Sequence, residues 1–125
     1  MFPLRIFKGK ASEKGKIAED YAVKYLKSKG YKILARNYRK PFGEIDVICK
    51  KDECLVFVEI RSLSGDFMEP CETITYRKRE NLLKVAESYL SETGWCGYIR
   101  FDFLGLKWIS RGFQVEHIEN FLEFS

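Results

Sequence analysis

A chain of 125 residues, 46% hydrophobic and 32% charged, is sized for one soluble globular domain and is too apolar to be disordered. It carries no apolar run long enough to span a membrane, and its basic start, MFPLRIFKGK, lacks the apolar stretch of a signal peptide, so a cytoplasmic location is expected. A net charge of +4 permits a polyanionic partner without demanding one, and four cysteines with no C-x-x-C spacing beside a single histidine exclude a structural zinc site of the usual kind.

Residues 1–11 read as a basic arm leading into a single domain that fills the remainder of 1–125. An amphipathic helix is predicted over 12–30, with Ser12 as N-cap and Gly30 just past its end. Ala18, Ala22, Tyr25 and Leu26 recur at helical spacing and form its core face, and Glu19 lies at the margin of that face. Strands are predicted at 31–39, 44–50 and 54–61, the last two joined by a short hairpin loop. A loop over 62–72, with Gly65 and Pro70, precedes a second helix that ends at Gly94 and buries Leu82, Leu83, Ala86, Tyr89 and Leu90. Two further strands follow at 97–109 and 112–118, and ENFLEFS is expected to add a helical turn. The order α-β-β-β-α-β-β predicts an α/β domain with a mixed five-stranded sheet flanked by helices. The second helix is long enough to serve as a crossover, which makes the third and fourth strands parallel.

Two strands carry acids among β-branched and aromatic residues: GEIDVIC and LVFVEIR. Side chains alternate along a strand, so Glu44, Asp46 and Ile48 share one face, while Ile45, Val47 and Cys49 share the other. On the next strand Leu55, Phe57, Glu59 and Arg61 share a face. A hairpin in ordinary register sets Asp46 beside Glu59. Two carboxylates held that close repel one another unless a cation lies between them. With so few soft ligands in the chain, the metal such a pair selects is Mg2+ or Mn2+. A divalent ion beside a fixed cation is the equipment for phosphodiester cleavage. The plainer alternative is a Glu59–Arg61 ion pair and ordinary polar positions on a half-exposed strand, and spacing alone favours it.

The chain resembles the YraN family of small bacterial proteins, itself similar to archaeal Holliday junction resolvases and to the restriction-endonuclease-like superfamily with its PD-(D/E)xK motif. The resemblance runs nearly end to end: Gly15, Glu19 and Ala22 on the first helix, then LARNYR, FGEIDVI, LVFVEIR, FMEPCETITYRK, IRFDFLGL and VEHIENF, in one order. It implies a restriction-endonuclease-like core in which Asp46 and Glu59 match the metal-binding carboxylates and Arg61 takes the place of the motif lysine. It further implies that Glu19 approaches the metal, that the Ile60 backbone carbonyl is another ligand, and that Lys78 stabilises charge. The sequence departs from the family pattern at Arg61, at Leu63 in place of a second arginine, and at Met68 and Tyr76 in place of glycine and proline. Arginine stays charged and cannot act as a base.

Among other basic residues, Arg36, Arg39 and Lys40 beside Tyr38 suit either nucleic-acid contact or an edge strand protected by charge. Arg77 and Lys78 at the start of the second helix oppose its dipole, a mild penalty that a phosphate would relieve. Arg100 and Asp102 are read as a structural ion pair, His117 as a hydrogen-bonded core residue, Trp95 and Trp108 as packing residues, and the cysteines as free thiols. The leading expectation is a Mg2+- or Mn2+-dependent endonuclease acting on DNA, branched DNA included, and a homodimer by analogy with resolvases. Two alternatives stand beside it: a nucleic-acid-binding module of the same fold without catalysis, and a protein-interaction domain.

Overall fold

The computed structural model describes residues 13–63 and 74–122. The basic arm, Ser12, Gly65, Met68, Pro70 and Cys71 lie outside them, as does the side chain of Leu63. The described residues form seven elements in the expected order: α1 (Glu13–Ser28), β1 (Lys32–Lys40), β2 (Gly43–Lys51), β3 (Cys54–Leu63), α2 (Tyr76–Thr93), β4 (Tyr98–Ile109) and β5 (Gly112–Leu122).

Local chemistry sets the helix ends. Gly30 takes a φ of 92°, and behind it the Tyr31 N–H donates to Leu26 O at 3.0 Å while the Gly30 N–H donates to Lys27 O at 3.0 Å. That paired closure satisfies carbonyls that the last turn leaves open. Thr75 caps α2 by accepting from the Lys78 N–H at 3.1 Å, and Gly94 ends the helix in the left-handed region.

The sheet has the order β1-β2-β3-β4-β5, so every strand lies beside its neighbours in sequence. Only β3 and β4 are parallel, as the crossover through α2 requires. The two faces are buried separately. Ala18, Ala22, Val23 and Leu26 of α1 pack on Val47, Cys49, Val56, Val58, Leu104 and Leu106. On the other face, Leu82, Val85 and Ala86 of α2 pack on Ile45, Ile48, Leu55, Phe57 and Phe101. Complete burial of Leu26, Leu55, Leu104 and Leu106 contributes roughly 1.5–3 kcal/mol for each side chain. Gly43 lets α2 approach the start of β2, since a Cβ there would stand 3.2 Å from Val85 Cγ2 and 3.4 Å from Asn81 Cβ.

Four details differ from expectation. ENFLEFS adds no helical turn within the described residues; β5 continues through Leu122, whose side chain is buried. Strand β3 runs on to Leu63 along its parallel partner, pairing Leu63 with Lys107. Val85 takes a central place in the α2 face, whereas Leu83, Tyr89 and Leu90 are only partly buried because they flank it. Ile45 joins Ile48 on the α2 face instead of Val47 and Cys49, because the alternation of β2 breaks at Asp46.

Candidate metal centre

The break at Asp46 builds the site. The β2–β3 ladder runs from Lys51 opposite Cys54 to Val47 opposite Val58. Continued by one residue, that register sets Asp46 opposite Glu59. The Ile60 N–H, just beyond Glu59, donates to Asp46 Oδ2 at 2.8 Å. A side-chain carboxylate thus replaces a backbone carbonyl where the two strands part.

Glu59 is 5% exposed, one of two buried charged residues among those described. Its Oε2 accepts from Arg61 Nε at 3.0 Å and lies 3.5 Å from Lys78 Nζ on the first turn of α2. Its Oε1 is buried with no donor at all. A buried, unsatisfied carboxylate oxygen is costly and calls for an explanation. Burial and then the charge of Glu59 push the Asp46 carboxyl well above the ordinary range; Glu44 adds to this, while the Ile60 N–H and Lys78 oppose it. The acid pair of the sequence is therefore assembled as like charges in a poorly hydrated place, with two cations bound to only one of them.

Glu19 goes elsewhere. Its Oε1 accepts from Arg36 Nη2 at 2.8 Å and its Oε2 from Asn37 Nδ2 at 2.9 Å. The same Asn37 Nδ2 donates to Glu44 Oε2 at 2.9 Å. Glu19 thus enters an outer row with Glu44, and among the described residues no three His, Cys, Asp or Glu side chains converge to hold a metal ion. The carboxylates that the described residues bring together as candidate ligands are Asp46 and Glu59. Two hard carboxylates, one with an orphaned oxygen, suit Mg2+ or Mn2+, which characteristically take one or two carboxylates and fill the octahedron with water and phosphate oxygens.

The five basic residues expected to meet nucleic acid divide. Arg36 is held by Glu19 and Asp20, and Lys40 by Glu92, so these two help tie edge strand β1 to the acids of the flanking helices. Arg39 is 72% exposed, with Glu44 at 3.3 Å. Arg77 is exposed on the first turn of α2, beside Lys78 at the site. Arg61 spends its Nε on Glu59, and among the described residues its two terminal nitrogens have no hydrogen-bond partner.

Two site-side residues escaped the sequence reading. Asn37 is a non-glycine residue at φ 53°, and asparagine's tolerance of that region was the one available signal. Glu116 shares a sheet face with Arg61 through the row Arg61–Gly105–Glu116, and its Oε1 is likewise buried without a donor. Nothing local in sequence marks it.

The readings of Arg100, Asp102, His117, the two tryptophans and the described cysteines hold in the structure. Arg100 grips Asp102 through Nε at 2.8 Å and Nη2 at 2.9 Å. His117 lies 2.8 Å from the same carboxylate and 3.1 Å from the Tyr25 hydroxyl. Trp108 packs against Phe113, and Trp95 lies under Lys50. Cys49, Cys54 and Cys96 are free thiols. No helix among the described residues is long and apolar enough to cross a membrane.

Residues 18–106 match the model of UPF0102, an uncharacterised protein family. The chain is 41% identical over 111 residues to a UPF0102 protein of Sulfurihydrogenibium sp. strain YO3AOP1, covering 87% of this chain and 93% of that one. It is 39% identical over 112 residues to a UPF0102 protein of Alkaliphilus oremlandii (85% and 94% covered). A UPF0102 protein of Carboxydothermus hydrogenoformans is 39% identical over 115 residues (90% and 97% covered).

Proposed function

We propose a function for this chain, which belongs to the UPF0102 family: it is a divalent-metal-dependent endonuclease acting on DNA. The single observation that carries the reading is Glu59, a nearly buried carboxylate with one oxygen unpartnered, next to an Asp46 carboxyl that burial and Glu59 itself push upward. Perturbed carboxyls beside a second buried acid cluster at functional sites. Asp46 and Glu59 hold the cation. When bound, it supplies charge neutralisation at the scissile phosphate and a more acidic water.

The chain's own residues do the rest. The Ile60 N–H fixes the direction of the Asp46 carboxylate. Arg61 orients Glu59 through Nε and offers its two remaining nitrogens to a phosphate in the paired geometry guanidinium favours. Lys78, whose side chain is 37% exposed, adds a positive charge from the α2 side. The resemblance to resolvases supports branched DNA as a substrate and a homodimer as the acting form.

The test is a Mn2+ titration of the wild type, Asp46→Asn and Glu59→Gln by calorimetry, with a cleavage screen on single-stranded, duplex and branched DNA. The expected result is metal binding and cleavage by the wild type, with at least ~100-fold loss of cleavage in both variants, on the scale of removing a principal electrostatic group. DNA binding with a steep salt dependence but no cleavage in Mn2+ would instead establish the binding module.

A further inference from the structure

In the β1–β2 register, Arg36 faces Val47 and Tyr38 faces Ile45, so Asn37 falls opposite Asp46. The row across the sheet is therefore Asn37, Asp46, Glu59. At that position β1 turns into the left-handed region, φ 53° at Asn37, inside an otherwise extended strand. Asparagine is among the few non-glycine residues that take this region readily, and its use inside a strand re-aims the side chain. The amide it aims spends both hydrogens of one nitrogen on two acids from different elements: Glu19 of α1 at 2.9 Å and Glu44 of β2 at 2.9 Å. Arg36 and Arg39 close the outer sides of the same two carboxylates.

We propose that Asn37 is a positioning residue for the metal centre: its amide clasps Glu19 of α1 and Glu44 of β2 into one outer row and so fixes the stretch of β2 that carries Asp46. This rests on the functional reading above. The chemistry is specific to an amide. An aspartate in its place would face two carboxylates with a third. A glycine would keep the backbone and lose the clasp. Groups that orient metal ligands from behind are typically worth 10–100-fold in affinity. Glu44 is the arm through which this clasp acts, since it lies two residues before Asp46 on β2 and its carboxylate is bonded to the residue that faces Asp46 across the β1–β2 pair.

The experiment compares Mn2+ affinity, metal-free melting temperature and the kcat and KM of DNA cleavage in the wild type, Asn37→Gly, Asn37→Asp, and Asn37→Asp combined with Glu44→Gln. Asn37→Gly is expected to melt close to the wild type and to bind Mn2+ about 10-fold more weakly, with the loss of activity in kcat. Asn37→Asp is expected to be worse. Adding Glu44→Gln returns a donor to the clasp, and it is expected to restore much of the affinity lost by Asn37→Asp. Unchanged Mn2+ affinity in Asn37→Gly, or a loss of fold in both single variants without any rescue, overturns the proposal. A wild type that binds no Mn2+ overturns the functional reading and this inference together, so the two failures are told apart by the wild type alone.

Discussion

Two aspartates sit inside this sheet, and each accepts a backbone N–H freed at an irregularity in a ladder. Asp46 receives the Ile60 N–H where β2 and β3 part; Asp102 receives the Asn120 N–H at 3.0 Å where the β4–β5 register shifts. There the likeness ends. Around Asp102, burial alone would raise the carboxyl, but His117, the Arg100 fork and the Asn120 N–H outweigh it and hold the group below the ordinary range. Around Asp46 burial is joined by the charges of Glu59 and Glu44, which outweigh the Ile60 N–H and Lys78, and the group is driven the other way. One aspartate is fully satisfied and the other is crowded by its own kind. The first is a fastening; the second is cost accepted at a site kept for something that arrives.

The comparison breaks most visibly through stability. Asp102→Ala strands Arg100, His117 and the Asn120 N–H, and the expected loss is about 3–5 kcal/mol in urea unfolding. Cys49 reports the same event. It is fully buried on the α1 face, its thiol pushed up to about 12 by burial and by Asp102, so a thiol reagent is expected to leave it untouched in the native wild type and to reach it far faster in Asp102→Ala. Asp46→Asn keeps an acceptor for the Ile60 N–H and removes a like charge, so the metal-free protein is expected to gain stability at neutral pH. An equal loss in both variants would abolish the contrast.

The pH dependence sharpens it. The folded pKa of Asp102 is depressed, so its contribution is present above the unfolded value of about 4 and is lost as pH falls through the lower folded value. The folded pKa of Asp46 is raised, so its contribution is complete below about 4 and is lost as pH rises through the higher folded value. In urea titrations without metal, Asp102→Asn is expected to flatten the stability curve on the acid side of about pH 4, and Asp46→Asn on the alkaline side. The smallest effect belongs to the rim. Arg39 is largely exposed beside Glu44, and Arg39→Ala is expected to change stability by less than about 0.5 kcal/mol.

Most of the architecture was legible because periodicity states it. Ala18, Ala22 and Leu26 declare a helix face, and the alternation through LVFVEIR declares a strand. The register of one tight hairpin, observed from Lys51 opposite Cys54 to Val47 opposite Val58, is what directs Asp46 toward Glu59. What stayed hidden depends on groups distant in sequence. Glu19 was drawn from the metal ligands to Asn37 and Arg36 by a turn of β1 that no pattern of apolar residues reveals. Glu116 comes alongside Arg61 only through two strand pairings, one of them parallel. The helical turn expected of ENFLEFS is absent over its described part because 119–122 complete an edge strand, where tertiary pairing overrides local preference.

The bond from Ile60 to Asp46 bears on any attempt to move this acid pair into another protein. The carboxylate is itself a rung between two strands, so its aim is set by where those strands separate. Two acids copied onto a hairpin that stays zipped past that point would keep their spacing and lose their direction. The unit that can be transplanted is the parting of the strands, with the residues as its consequence.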